Sequence, residues 1–301
     1  MGPWFSVASG QEPELGAAVE STLRLRIAQK VAARVADLHG RGVLRAEYPN
    51  YVRELHDNFG PGVPIDDLRA DFADGDGGEL VSSGGRPGKL FAVHSSSALV
   101  VNTFAPYRSA PETLRLAGRS GFTLVRFEKK LRTGLGGTPP NLDLFAVGTE
   151  AILAVESKFT EVLAPKAANF SESYARVVGD LADERWEAMY HSLCAAPKRF
   201  RHLDAAQLVK HYLGIRRCLA DEPVPKLLVY LFWEPVNWSA VREFVAHRRE
   251  ALEFSMSVAG GEVEFTAMSY SELWESWEDE GLWVGQEDRL DYLRSRYLME
   301  L

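Results

Sequence analysis

Asp143, Glu156 and Lys158 fall within the single stretch Thr138 to Glu161, and their types and spacing suit hydrolytic chemistry. Carboxylates hold a hard divalent cation. A lysine beside them orients a water or steadies developing phosphoryl charge. The stretch reads as two short apolar strands around a turn at Gly148-Thr149-Glu150. Asp143 starts the first strand; Glu156 and Lys158 lie near the end of the second. Residues two apart in a strand share a face, so Glu156 and Lys158 project together. An even-numbered connection centred on Thr149 and Glu150 sets Asp143 directly opposite Glu156, with all three side chains on one face of the hairpin. Opposed carboxylates repel, and a divalent cation between them removes that penalty; oxygen-only ligands suit Mg²⁺.

An Asp, a strand and then Glu-Ser-Lys together resemble the PD-(D/E)XK nuclease superfamily, with Asp143 as the first acid, Glu156 as the second and Lys158 as the lysine. Pro140 stands ahead of Asn141-Leu142 instead of adjoining the acid, a departure at a position with no chemical role. The resemblance covers 95 to 235 in outline and is sharp over 128 to 161. It implies an α/β fold: a restriction-endonuclease-like core with a mixed central sheet flanked by helices, here with an N-terminal helical extension. It implies Mg²⁺-dependent hydrolysis of DNA, with Mn²⁺ as the other candidate ion and RNA as the other substrate. Asp143, Glu156 and the Ser157 carbonyl then bind metal and Lys158 positions the water. Glu128 is the further acid, ahead of Glu112 and Glu79, and Gln207, on a helix after the hairpin, supports the site. The alternative is an inactive nuclease-fold module that binds nucleic acid or a protein partner.

Nucleic acid needs local positive charge, because the chain as a whole carries −8. The most basic segment holds Arg115, Arg119, Arg126, Lys129, Lys130 and Arg132, and the last four are the expected phosphate contacts beside the metal. Arg24, Arg26, Lys30 and Arg34 on the first helix read as a solvated face, with a phosphate-contacting arm as the sharper option. Lys198 to His202 is a second small basic patch, read as a solvated loop.

The 301 residues, 46% hydrophobic and 25% charged, can bury a substantial core. Cys194 and Cys218 lack metal spacing and read as reduced thiols. No signal peptide or membrane span is evident, so a cytoplasmic protein without membrane contact is expected.

These expectations divide the chain into residues 1–90, a helical extension with a Gly/Asp-rich loop, and residues 91–301, the nuclease-like domain with an aromatic helical tail. After a loose tail over 1–12, four-residue spacing of Val19, Leu23, Ile27, Val31 and Val35 predicts a helix from Pro13 to His39. A short helix is expected over Tyr48 to Phe59, then loop from Gly60 to Gly88, where Asp71, Asp74, Asp76 and Glu79 miss the EF-hand spacing. Ser95 to Ser97 read as caps of a helix through Phe104, and Pro111 to Gly118 as a helix ending in glycine. Phe122 to Leu131 is a strand, and Gly134 to Gly137 a connector leading to two prolines. Further helices are expected over Tyr174 to Leu193, after Asp204 to Gly214, and from Ala240 to Phe254 capped by Ser239. Lys226 to Trp233 is a buried central strand and Val263 to Met268 the last one. From Ser271, Trp274, Trp277, Trp283, Tyr292 and Tyr297 either dock the tail on the core or form a homodimer seam.

Overall fold

The structure, a computed structural model, describes residues 11–74, 78–136 and 140–301. The expected loose tail up to residue 10, Gly75 to Gly77, and the connector's end at Gly137 with Thr138 and Pro139 lie outside them.

Five strands, β1 (Phe122–Lys130), β2 (Asn141–Gly148), β3 (Ile152–Lys158), β4 (Lys226–Phe232) and β5 (Val263–Ser269), form one sheet in chain order. The β1–β2 and β2–β3 pairs are antiparallel, and β3–β4 and β4–β5 are parallel. The sheet is therefore mixed, and its parallel half needs helical crossovers. Nine α-helices supply them and cover the faces among the described residues: α1 (Gln11–His39), α2 (Ile65–Asp74), α3 (Ser96–Phe104), α4 (Ser173–Leu181), α5 (Glu184–Ala195), α6 (Ala205–Cys218), α7 (Arg242–Val258), α8 (Tyr270–Asp279) and α9 (Glu287–Tyr297).

Period-2 alternation splits the sheet's apolar residues between two cores. Leu144, Leu153, Val155, Leu227 and Val229 meet α1, α3, α8 and α9. Phe145, Ile152, Ala154, Leu228 and Tyr230 meet α4 to α7. Strand β4 is buried along six of its seven residues, as a helix-covered central strand must be. Ile27, Val31 and Val35 of α1 are fully buried in the core that also holds Leu293 and Tyr297 of α9.

Several element expectations are corrected. Over 48–59 only a 3₁₀ turn forms, at Leu55–Asn58. The expected loop after Gly60 contains α2, whose Leu68 and Phe72 are buried at four-residue spacing. Residues 111–113 make one 3₁₀ turn, not a helix to Gly118; Leu116 and Arg119 then bridge across a tight turn with Ala117 and Gly118 at positive φ. The single helix expected over 174–193 is two, α4 and α5, because Asp183 breaks it: its Oδ1 accepts the Arg185 and Trp186 amides as an N-cap. Helix α6 does not end at Gly214 but runs to Cys218, and α7 starts at Arg242, with Ser239 in the preceding 3₁₀ turn. The dimer-seam option for the tail loses its residues: Trp274, Trp277, Trp283, Tyr292 and Tyr297 are buried in their own protomer.

Candidate active site

The hairpin register ends at Leu144 opposite Val155, and Asp143 and Glu156 are the next residues of the two strands, where the Asp143 side chain takes the Ser157 amide. The even-numbered turn is as expected, closed by the Gly148 amide on the Ala151 carbonyl. On the other side of β2, Phe127 pairs with Leu144 and Lys129 with Leu142, which sets Glu128 opposite Asp143. Three carboxylates, Glu128, Asp143 and Glu156, thus stand in one row across β1, β2 and β3. They line one cleft of about 720 Å³ together with Lys158, Ser157 and Gln207.

Glu128 reaches that row through an irregular backbone. Its φ is +52°, the left-handed region, which costs a non-glycine residue about 1–2 kcal/mol. The turn changes the phase of the chain: Val125 and Phe127 pack in one core, whereas Leu131 packs in the other. In an unbroken strand all three would share a face. Asp71 of α2 supports the kink, accepting the Phe127 amide at 3.3 Å while paired with Arg108 at 2.9 Å and Arg126 at 3.4 Å. The expectation that Asp71 is a loop acid is therefore corrected to a buried helix residue.

Glu156 and Lys158 do share a face, and their side chains are in direct contact. Helix α6 completes their surroundings. Asp204 caps it by accepting the Gln207 amide, and Gln207 and His211, four apart, present one side to β3. Gln207 Oε1 accepts from Lys158 Nζ at 2.9 Å, and His211 Nε2 meets Glu156 Oε2 at 2.7 Å. Gly214 lets this helix come close: a Cβ there would stand 2.5 Å from the Leu131 carbonyl oxygen.

Asp143 Oδ2 accepts the Ser157 amide at 2.6 Å. In a strand the amide and carbonyl of one residue point to the same neighbour, so the Ser157 carbonyl also faces β2. The Ser157 hydroxyl goes the other way, to Tyr270 Oη at 2.7 Å.

Charge is unevenly compensated along the row. Burial raises the Asp143 carboxyl well above its ordinary value, and Glu156 and Glu128 add to the effect. Burial likewise lifts Glu128 to about 7, against a hydrogen bond from Asn141 that lowers it. For Glu156 burial also pushes upward, but Lys158 and then His211 outweigh it and hold the group at about 2. Lys158 is pulled down by burial and up by Glu156, Glu161 and Asp143; the carboxylates prevail, so it stays an ammonium at neutral pH.

Among the described residues, no three His, Cys, Asp or Glu side chains stand close enough to hold a metal ion as they are arranged. Lys158 and His211 occupy the Glu156 oxygens instead. The donor chemistry nevertheless fits a hard cation: carboxylate and carbonyl oxygens only, with two of the three acids held against ionisation by burial and like charge.

The cations of β1 and its exit sit elsewhere. Arg126 is engaged with Asp71, Lys129 and Arg132 are exposed, and neither these three nor Lys130 lines the cleft. Glu112 is exposed and away from the cleft, whereas Glu79 lines it and pairs with Lys89. The 198–202 segment is a loop whose Lys198, Arg199 and Arg201 are exposed, as expected, but it is anchored: Arg199 pairs with Glu253, Arg201 with Glu20, and Phe200 and His202 are buried.

Sequence reasoning treats His211 as structural and gives Glu161 no role. The structure brings both to the site: Glu161 accepts from the Ser96 hydroxyl at 2.8 Å and from the Phe159 amide at 2.7 Å. The four-residue step from Gln207 to His211 was the available signal.

No curated protein and no solved structure matches the chain. Among the described residues no helix is long and apolar enough to cross a membrane. A family described as "Restriction Endonuclease associating with ARP" matches residues 31–298, nearly the whole sheet-and-helix assembly, and the chain belongs to this restriction-endonuclease-like family.

Proposed function

We propose that the chain is a cytoplasmic Mg²⁺-dependent phosphodiesterase of the PD-(D/E)XK type acting on DNA, with Mn²⁺ able to replace Mg²⁺. The observation that carries the reading is the row of carboxylates on three adjacent strands with Lys158 beside it. Asp143, Glu156 and the Ser157 carbonyl would hold the ion, with Glu128 as the further acid. When bound, the ion supplies polarisation of the scissile phosphate and a more acidic water. Lys158, an ammonium, donates hydrogen bonds and takes no proton; Gln207 holds it where it can orient the attacking water or meet phosphoryl charge. His211 fixes one oxygen of Glu156, so Oε1, now against Lys158, is the one that changes partner. Following the family's description, we extend to this chain an association with ARP.

The test is cleavage of DNA in Mg²⁺ by the wild type beside Asp143→Ala and Lys158→Ala. Each variant should lose about 100-fold or more in rate. Equal activity in the three preparations would end the proposal.

The saturation of Glu156 by Lys158 and His211 favours a second reading, a nuclease-fold module that binds without cutting. Calorimetric titration with Mn²⁺ separates the two. Heat that disappears in Asp143→Ala supports catalysis; no heat in either protein supports the module.

A further inference from the structure

Four cations face the cleft: Arg24, Lys89, Lys158 and Lys166. Lys158 is taken by Glu156 and Gln207. Lys89 meets Glu79 at 3.0 Å and Lys166 meets Asp204 at 3.5 Å, but the two lysines are 78% and 67% exposed, so water screens both pairs. Arg24 differs. It is half-buried and has no ion-pair partner among the described residues.

Its helix is firmly placed. One turn before it, Glu20 is 4% exposed and held by Arg201 through Nε at 3.1 Å and Nη2 at 2.9 Å. Glu20, Arg24, Ile27 and Val31 share one side of α1, and the two apolar residues are fully buried. Arg24 therefore stands at the cleft on a docked helix, not on a free arm. A half-buried guanidinium that no carboxylate of the cleft contacts among the described residues can take an anion, and its planar fork matches phosphate oxygens.

We propose that Arg24 binds a backbone phosphate of DNA lying in the cleft, flanked by Lys89 and Lys166. The inference rests on the proposed reading of the cleft as a nucleic-acid site, though not on cleavage there. It also shifts the phosphate track away from β1 and its exit, where Arg126, Lys129, Lys130 and Arg132 lie outside the cleft.

Fluorescence anisotropy of a labelled DNA duplex with the full chain, in Ca²⁺ over a series of KCl concentrations, tests this. Arg24→Ala should weaken binding about 5- to 10-fold at low salt and lower the slope of log K against log salt by about one. Arg24→Lys should keep the slope, and Arg26→Ala, on the exposed side of α1, should keep both affinity and slope. Thermal melts of each variant report folding. Affinity and slope unchanged in Arg24→Ala, an equal loss in Arg26→Ala, or no binding by the wild type would each overturn the assignment. Cleavage in Mg²⁺ is followed in parallel to separate the two proposals. A slope change at Arg24 without wild-type cleavage upholds the phosphate contact and removes the catalytic reading. Asp143-dependent cleavage with Arg24→Ala binding like wild type does the reverse.

Discussion

Glu128 joins two unfavourable features in one residue, a left-handed backbone and a buried carboxyl beside other acids. Structural positions that need neither are common, so the strain points to the row it completes. Its protonation gives a pH signature. The folded group titrates near 7, raised mainly by burial, whereas in the unfolded chain it titrates near its ordinary 4.5. Between those values the folded state binds the extra proton, so this contribution to stability is full below about 4.5 and is lost as pH rises toward 7. In EDTA, melting temperatures of wild type minus Glu128→Gln should therefore fall across that window. A flat difference profile would show that Glu128 is not held protonated.

At the scale of elements, α6 decides how the site is closed. Asp204 starts the helix, Gln207 and His211 face β3, and Gly214 lets the backbone of β1's exit approach at Leu131. A methyl group at 214 would meet the Leu131 carbonyl oxygen at 2.5 Å, and neither backbone can yield cheaply. Gly214→Ala should destabilise by about 1–3 kcal/mol, the usual cost of overpacking, despite alanine's better helix propensity. Urea denaturation checks the sign: propensity alone predicts a stabilised variant, contact predicts the opposite. If the helix relieves the clash by moving outward, the Lys158–Gln207 contact goes with it.

For the whole molecule, the N-terminal third and the last helix are tied together through Arg296. It is fully buried and donates to the Asn58 carbonyl at 2.7 Å, the Asn58 Oδ1 at 2.5 Å and the Val93 carbonyl at 3.1 Å. Its guanidinium also lies 4.9 Å from the Tyr297 ring centre. Arg296→Ala takes the guanidinium donor from the buried Asn58 Oδ1 and Val93 carbonyl, while the Asn58 carbonyl keeps the Asn102 side-chain amide at 3.1 Å, and should cost about 3 kcal/mol or more. The loss should appear as a lower urea midpoint in one transition, seen alike by far-ultraviolet circular dichroism and tryptophan fluorescence, because α1 and α9 share a core. Two separated transitions would show that the chain's ends unfold independently of the sheet.

Local rules sufficed where the decisive neighbours are near in sequence. Side-chain alternation and a tight turn set the β2–β3 hairpin and the face shared by Glu156 and Lys158. The apolar run of β4, the caps at Ser95 and Asp204, and the four-residue spacing of α1 were legible for the same reason. Where the partner is distant along the chain, the sequence misled. Helix α2 looked like loop until its apolar side met the core, Gly214 looked like a stop until Leu131 was seen against it, and Asp183 hid a break inside an otherwise helical pattern. The same holds at the site: His211, Glu161 and Arg24 come from α6, a turn after β3 and the first helix, and only packing gathers them. The amino-acid order thus determined which residues share a strand face, because backbone geometry fixes that over a few residues. Tertiary structure alone decided which charges are compensated there, because desolvation and Coulomb forces depend on distance in space and not on separation along the chain.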